Sequence, residues 1–151
     1  MIRYPRGMVD TNLSTSEITF KEIKPTWTII EKGQDIVLIS YGPSLDLLRQ
    51  VKKEMGVDAM IINARFIKPI DQDMMHQIAK LNVPILVYEE AANSGSLYPQ
   101  ILQFMAKNKY QNQMIEMSIT DQVVEHGYYQ DMLKAHHMDK ESVIQRIKDV
   151  L

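Results

Sequence analysis

The sequence predicts an α/β fold, a three-layer α/β/α sandwich with about five mostly parallel strands and an antiparallel first strand. From Trp27 onward, short β-branched apolar runs alternate with helical segments, the pattern of right-handed strand–helix–strand units. The first two of these runs are joined by a short turn at Lys32-Gly33, and a two-residue turn joins antiparallel neighbours. The chain has 151 residues, 45% apolar and 24% charged, which suits one globular domain with a buried core.

Residues 1–25 differ from the rest of the chain, because Pro5, Gly7 and Pro25 interrupt a stretch without sustained apolar periodicity. We interpret them as an extended arm or linker from a preceding domain, and residues 26–151 as the folded domain. The predicted strands are Trp27–Glu31, Asp35–Tyr41, Ala59–Asn63, Pro84–Tyr88 and Met114–Ile119. The second strand is apolar enough to be buried on both faces. The turn after the first strand predicts that the first two strands pair as antiparallel neighbours.

The predicted helices show apolar residues at helical spacing and are bounded by capping residues. They cover Ser44–Met55, the residues after Asp71 as far as Leu81, Ser96–Lys107, Gln130–Ala135 and Lys140–Val150. Ser44 and Asp71 are predicted N-caps, and Gly56 ends the first helix. Most of the eleven methionines, Met74, Met75, Met105, Met114 and Met117 among them, are expected to pack in the core.

Composition excludes several classes of protein. The net charge is −2 with no block of like charges, so neither a nucleic-acid partner nor a polybasic membrane surface is expected. The apolar runs are far shorter than the roughly 18 residues of a membrane helix, and the N-terminus lacks the apolar core of a secretory signal. The absence of cysteine excludes disulfides, thiolate zinc sites and a cysteine nucleophile, and is consistent with the reducing cytoplasm as location.

Each motif that could form a catalytic or binding site can also be explained by a purely structural role. Gly42-Pro43-Ser44 lies where a nucleophile elbow would, but Asp46 replaces the second glycine, which favours a helix cap. Neither a dinucleotide nor a P-loop glycine motif is present. Glu89 and Glu90 end the fourth strand and should point to opposite faces, which favours loop anchoring or solvation over a catalytic pair. The histidines lack chelating spacing, so no metal is expected; they are His76, His126, His136 and His137.

The N-terminal segment Arg3-Tyr4-Pro5-Arg6-Gly7 is the most informative motif. Two guanidinium groups in a segment stiffened by proline can bind a phosphate in bidentate geometry. Charge alone nevertheless favours a solvated arm over a phosphate site.

Several segments, taken in order, resemble the C-terminal part of the 1-deoxy-D-xylulose-5-phosphate synthases, thiamine diphosphate enzymes related to transketolase. These segments are Ile2–Gly7, Asp35–Gly42, Asn63–Asp71, Val87–Glu90 and Glu125–Gly127. The chain departs from the family pattern at Gly95-Ser96, Leu97-Tyr98 and Thr120-Asp121, where the family has Gly-Gly, a glycine-rich turn and Pro-Asp. The resemblance covers essentially all of this chain but only the C-terminal part of the family's length.

The resemblance implies a parent enzyme that condenses pyruvate with glyceraldehyde 3-phosphate, in the pathway to isoprenoid precursors. In that family two preceding domains hold thiamine diphosphate and Mg²⁺, partly through a G-D-G motif that is absent here. This domain is therefore expected to be architectural, to bind no cofactor or metal, to supply no catalytic residue and to be inactive alone. Its expected partners are the preceding domains and, in a homodimer, a second copy.

The resemblance assigns one site residue. Arg6 matches the family's arginine that binds the phosphate of glyceraldehyde 3-phosphate in the intact enzyme. Two other interpretations stay open: the corresponding domain of a 2-oxo-acid dehydrogenase beta subunit, and a free-standing binding or regulatory module.

Overall fold

A computed structural model describes residues 24–151, and the predicted arm therefore lies almost wholly outside the described residues. The strands are β1 (Thr28–Glu31), β2 (Ile36–Ser40), β3 (Ala59–Asn63), β4 (Ile85–Ala92) and β5 (Met114–Ile119). The helices are α1 (Ser44–Met55), α2 (Gln72–Ala79), α3 (Leu97–Lys107), α4 (Tyr129–Ala135) and α5 (Lys140–Lys148). Among the described residues, no helix is long and apolar enough to cross a membrane.

The five strands form one sheet in the order β1-β3-β2-β4-β5. Strands β2 to β5 pair in parallel, and β1 pairs antiparallel with β3. The predicted class, a mostly parallel sheet of five strands with an antiparallel first strand, is confirmed.

The predicted pairing of the first two strands is wrong, because β1 lies beside β3 and the chain must pass the start of β3 to reach β2. The backbone N–H groups of Gln34 and Asp35 donate to Asp58 O at 2.8 and 2.9 Å during this crossing. Gly33 is buried there, and a Cβ on it would lie 2.1 Å from Ala59 C. Gly33 is therefore required by the close approach of two backbones and not by a hairpin turn.

Helices cover both faces of the sheet, so the three-layer architecture is confirmed. All five residues of β2 are buried, and its four apolar residues alternate between two apolar clusters. Val37 and Ile39 face the cluster under α2 and α3, whereas Ile36 and Leu38 face the cluster under α1 and α5. The five methionines named above pack as expected: Met75, Met105 and Met117 are buried, and Met74 and Met114 are half-buried against the core.

Of the two predicted N-caps, one is confirmed and one is wrong. The Asp71 carboxylate accepts from Met74 N at 2.9 Å and caps α2. Ser44 makes no capping hydrogen bond, and its hydroxyl donates instead to Glu90 Oε1 at 3.0 Å. The end of α2 also differs, because Leu81 lies beyond the helix and is 42% exposed instead of packing inward.

Candidate functional site at the carboxyl edge of the sheet

The place where ligands bind in open α/β sheets lies between β2 and β4 in this fold. From β2 the chain proceeds to β3 on one side of the sheet and then returns to β4 on the other. At such a switch point the loops after neighbouring strands diverge and leave a crevice at their carboxyl ends. The side chains at this crevice include Tyr41, Ser44, Glu89 and Glu90.

Glu89 is 1% exposed and binds the start of α3. Its carboxylate accepts from Leu97 N at 3.0 Å and from Tyr98 N at 2.9 Å, and Tyr41 Oη donates to it at 3.3 Å. Ser96, the residue that flanks the helix, makes no capping hydrogen bond. Glu89 therefore caps α3 from β4, where its negative charge also meets the positive end of the helix dipole.

Glu90 points to the other face of the sheet, as the strand period predicts. Its carboxylate accepts from Ser44 Oγ at 3.0 Å and from Tyr129 Oη at 2.8 Å. Burial, followed by the hydrogen bond and charge of Glu90, raises the pKa of Tyr129. The phenol therefore stays protonated and donating at neutral pH, and the pair ties α4 to the sheet.

The two carboxylates at this crevice are thus bound by the protein's own donor groups. Both carboxylates receive hydrogen bonds from this chain, which favours the anchoring interpretation of Glu89 and Glu90 over a catalytic one. Glu90 also places a negative charge beside the first turn of α1, where an anion would otherwise bind. The arrangement holds α1, α3 and α4 in position and presents no nucleophile activated by a base.

The histidines and the possible metal ligands are dispersed. His76 Nδ1 is hydrogen-bonded to Tyr110 Oη at 2.7 Å, and its ring packs edge-on against Phe104. His136 Nδ1 lies 3.1 Å from Gln122 Nε2. No group of three His, Cys, Asp or Glu residues capable of holding a metal occurs between residues 24 and 151.

The segment that follows β3 clamps the entering polypeptide. Arg65 donates from Nε to Thr26 O at 2.8 Å and from Nη2 to Thr26 Oγ1 at 3.0 Å. Trp27 donates from its indole to Phe66 O at 2.8 Å and from its backbone N–H to Asp71 Oδ2 at 2.7 Å. The sequence motif at 63–71 is thus a structural clamp, a role that motif spacing did not reveal. Arg6 lies outside the described residues, so its assignment stays a prediction.

Solved transketolase structures share this fold. The solved structure of a split gene transketolase, described as an inactive beta4 tetramer, has a TM-score of 0.77 over 87% of this chain and 44% of its own, at 18% identity. A transketolase mutant, R525L, from Pichia stipitis has a TM-score of 0.54 over 83% of this chain and 18% of its own, at 17% identity. These likenesses show a transketolase-like α/β fold.

The family profile described as "Transketolase, C-terminal domain" matches residues 26–143. The chain therefore belongs to the transketolase C-terminal domain family.

The curated relatives refine this membership. The 1-deoxy-D-xylulose-5-phosphate synthase of Lysinibacillus sphaericus is 32% identical over 99% of this chain and 24% of its own length. The enzyme of the same name from Bacillus licheniformis is 33% identical over 97% of this chain and 24% of its own length. The expected resemblance to these synthases is confirmed, and the chain spans about a quarter, 24%, of their length.

Proposed function

We propose that the chain is the C-terminal domain of a 1-deoxy-D-xylulose-5-phosphate synthase, a thiamine-diphosphate-dependent transferase that joins pyruvate to glyceraldehyde 3-phosphate. The extent of the match to the synthases carries this proposal. The family profile begins at residue 26, whereas the synthase of Lysinibacillus sphaericus matches 99% of the chain. That match necessarily includes most of residues 1–25, where Arg3-Tyr4-Pro5-Arg6-Gly7 lies, and so favours a synthase over a 2-oxo-acid dehydrogenase beta subunit.

The domain's role in that enzyme is architectural. Support comes from the carboxyl edge, where Glu89 and Glu90 serve to hold helices of this domain. The described residues do not fit thiamine diphosphate with Mg²⁺, because they contain no cluster of metal ligands and Glu90 opposes a diphosphate at α1. In the whole enzyme the cofactor, held by the preceding domains, would supply the electron sink. This domain would pack against those domains, support a cytoplasmic homodimer and be inactive alone.

A domain replacement tests the proposal. The C-terminal quarter of the Bacillus licheniformis synthase, the part matched here, is exchanged for residues 1–151 of this chain. We expect this chimera to form 1-deoxy-D-xylulose 5-phosphate from pyruvate and glyceraldehyde 3-phosphate, and we expect the truncated synthase to be inactive. A chimera that folds and dimerises like the natural synthase but forms no product would contradict the proposal.

Arg6→Ala in the chimera should weaken apparent affinity for glyceraldehyde 3-phosphate and leave that for pyruvate nearly unchanged. The reason is loss of one charge-assisted contact to the phosphate, worth about 1.5–3 kcal/mol, or roughly ten- to a hundredfold. Steady-state kinetics with each substrate varied in turn measure the effect. Arg3→Ala is the matched control and should change neither constant comparably. An effect larger for pyruvate, or absent for both substrates, would show that Arg6 does not bind the phosphate.

A further inference from the structure

Strand β5 forms an open edge of the sheet. It pairs with β4 on one side, and no other strand of the described chain lies beyond it. Gln113 O and Ile119 O, at its two ends, accept from the N–H groups that begin and follow β4, so the odd-numbered residues turn their backbone groups toward β4. The backbone N–H and C=O groups of Met114, Glu116 and Ser118 therefore point away from the sheet.

These outward backbone groups have no hydrogen-bond partner within residues 24–151. They present three donors and three acceptors at the spacing of an extended chain. Another extended strand is the structure whose backbone matches all of them at once. A groove of about 540 Å³ lies along β5 and leaves space for such a strand.

The opposite edge of the sheet, β1, is protected against strand addition. It has only four residues, and its register shifts between Ile29 and Glu31. Ion pairs join Glu31 to Arg49 at 3.4 Å and to Lys52 at 3.2 Å. Short, irregular and charged edge strands are the usual means by which sheets avoid pairing with other chains. Strand β5, in contrast, has six residues and contains no lysine, arginine or proline.

The charges in the groove indicate which strand fits it. Its acidic residues are Glu116 and Asp149, and its basic residue is Arg146. Glu116 lies in the middle of β5, and no lysine or arginine of the described chain forms an ion pair with it. The residue directly opposite Glu116 in an added strand would place its side chain on the same face of the sheet. A lysine or arginine is therefore favoured at that position.

The same charge disfavours a second copy of β5 as the added strand. Antiparallel pairing of two β5 strands about a two-fold axis, with every outward group bonded, sets Met114 opposite Ser118 and Glu116 opposite its own copy. Like charges directly opposite each other destabilise a pair of strands.

We propose that β5 is a site of strand addition for another polypeptide, whose extended segment places a lysine or arginine opposite Glu116 and bonds through its backbone to residues 114, 116 and 118. Such binding requires none of the chemistry of the proposed synthase reaction, so either can fail without the other.

Titration of the full 151-residue chain with short peptides, followed by nuclear magnetic resonance, tests this site. The probe is Thr-Val-Lys-Val-Thr with blocked ends, whose sequence reads the same in both directions and so suits parallel and antiparallel pairing. We expect the amide signals of Met114, Glu116 and Ser118 to shift. Those of Ile115 and Met117 should shift less, because their N–H groups already face β4.

Two altered peptides separate strand pairing from charge attraction alone. Thr-Val-Glu-Val-Thr should bind about tenfold more weakly, because its glutamate would lie opposite Glu116. The lysine peptide methylated on its backbone nitrogens keeps its charge but loses its donors, and it should cause no shift. Equal binding of the lysine and glutamate peptides would contradict the role of Glu116, and binding of the methylated peptide would contradict strand addition.

Variants of the chain test the same contacts from the other side. Glu116→Lys should reverse the preference, so that the glutamate peptide binds about tenfold more tightly than the lysine peptide. Asp73→Lys is the matched control, since it makes the same change of charge at an exposed position on α2 and should keep the original preference. Ser118→Pro removes one outward N–H at an edge position that tolerates proline, and it should weaken binding of the lysine peptide.

Circular dichroism shows which variants fold, and the three peptides decide the question on the unmodified chain in any case. The site is overturned if no peptide shifts the signals of residues 114, 116 and 118. Unchanged binding to a folded Ser118→Pro variant would show that the outward N–H is not used. Shifts at β5 that follow the concentration of the chain itself and resist the peptides would assign the edge to a second copy, which also overturns the proposal.

Discussion

Replacing Gly33 with alanine should destabilise the domain by at least about 3 kcal/mol, because the added methyl group has no space. Its carbon would lie 2.1 Å from Ala59 C, 2.4 Å from Ala59 O and 2.5 Å from Asp58 O. These are backbone atoms, so no side-chain rotation relieves the clash. The backbone is also held on this path, since Gln34 N and Asp35 N both donate to Asp58 O. To make room for the methyl group, the segment from Gly33 to Asp35 would have to move away from β3, and this movement would break both hydrogen bonds.

Urea unfolding of the isolated chain followed by circular dichroism measures this effect. Gly127→Ala is the matched control, because its Cβ would meet only Met132 Cγ, at an ordinary 3.5 Å. The control should stay within about 0.5 kcal/mol of the unmodified chain. Equal stabilities for the two variants would show that the crossing does not have the close approach described here.

The secondary structure and fold class could be predicted because their signals are local in sequence. The apolar run at 36–39 directly predicts a buried strand. The alternation of its side chains between the two faces of the sheet can be predicted without knowing which strands lie beside it. Asp71 could be identified as a cap for the same reason, since its carboxylate binds a backbone N–H only three residues further on. Contacts of this range are dictated by helix geometry alone.

The pairing of β1 and the true roles of the polar residues depend on contacts between distant parts of the chain. The neighbouring sequence predicts that Gly33 is a turn residue. Only the position of β3 shows why residue 33 must be glycine. Serine is a residue type favoured at helix N-caps, yet the hydroxyl of Ser44 donates to Glu90, 46 residues away. At α3, Ser96 is the serine next to the helix, yet the backbone N–H of Leu97 donates to Glu89 instead. Local sequence favours the nearest serine as the cap of a helix. Tertiary packing decides which side-chain oxygen accepts from the free backbone N–H groups at the start of that helix.

Glu89→Ala should destabilise the domain by about 3–5 kcal/mol, since it removes two hydrogen bonds that a carboxylate makes with buried or partly buried backbone N–H groups. Leu97 N and Tyr98 N would lose their acceptor at the positive end of α3. Glu89 is 1% exposed, so water has little access to replace the lost oxygens. The missing side chain would also leave a cavity beside Tyr41, whose hydroxyl donates to the same carboxylate.

Two matched variants show whether this loss belongs to the buried cap. Glu89→Gln keeps one amide oxygen as an acceptor, so its unfolding free energy should fall between those of the unmodified chain and Glu89→Ala. Glu90→Ala removes the neighbouring carboxylate, whose bonds to Ser44 and Tyr129 are more accessible to water, and should cost about 1 kcal/mol. Urea unfolding measures all three variants. A cost for Glu90→Ala that equals or exceeds the cost for Glu89→Ala would contradict the assignment of Glu89 as the cap of α3, since water can replace lost partners more readily at Glu90.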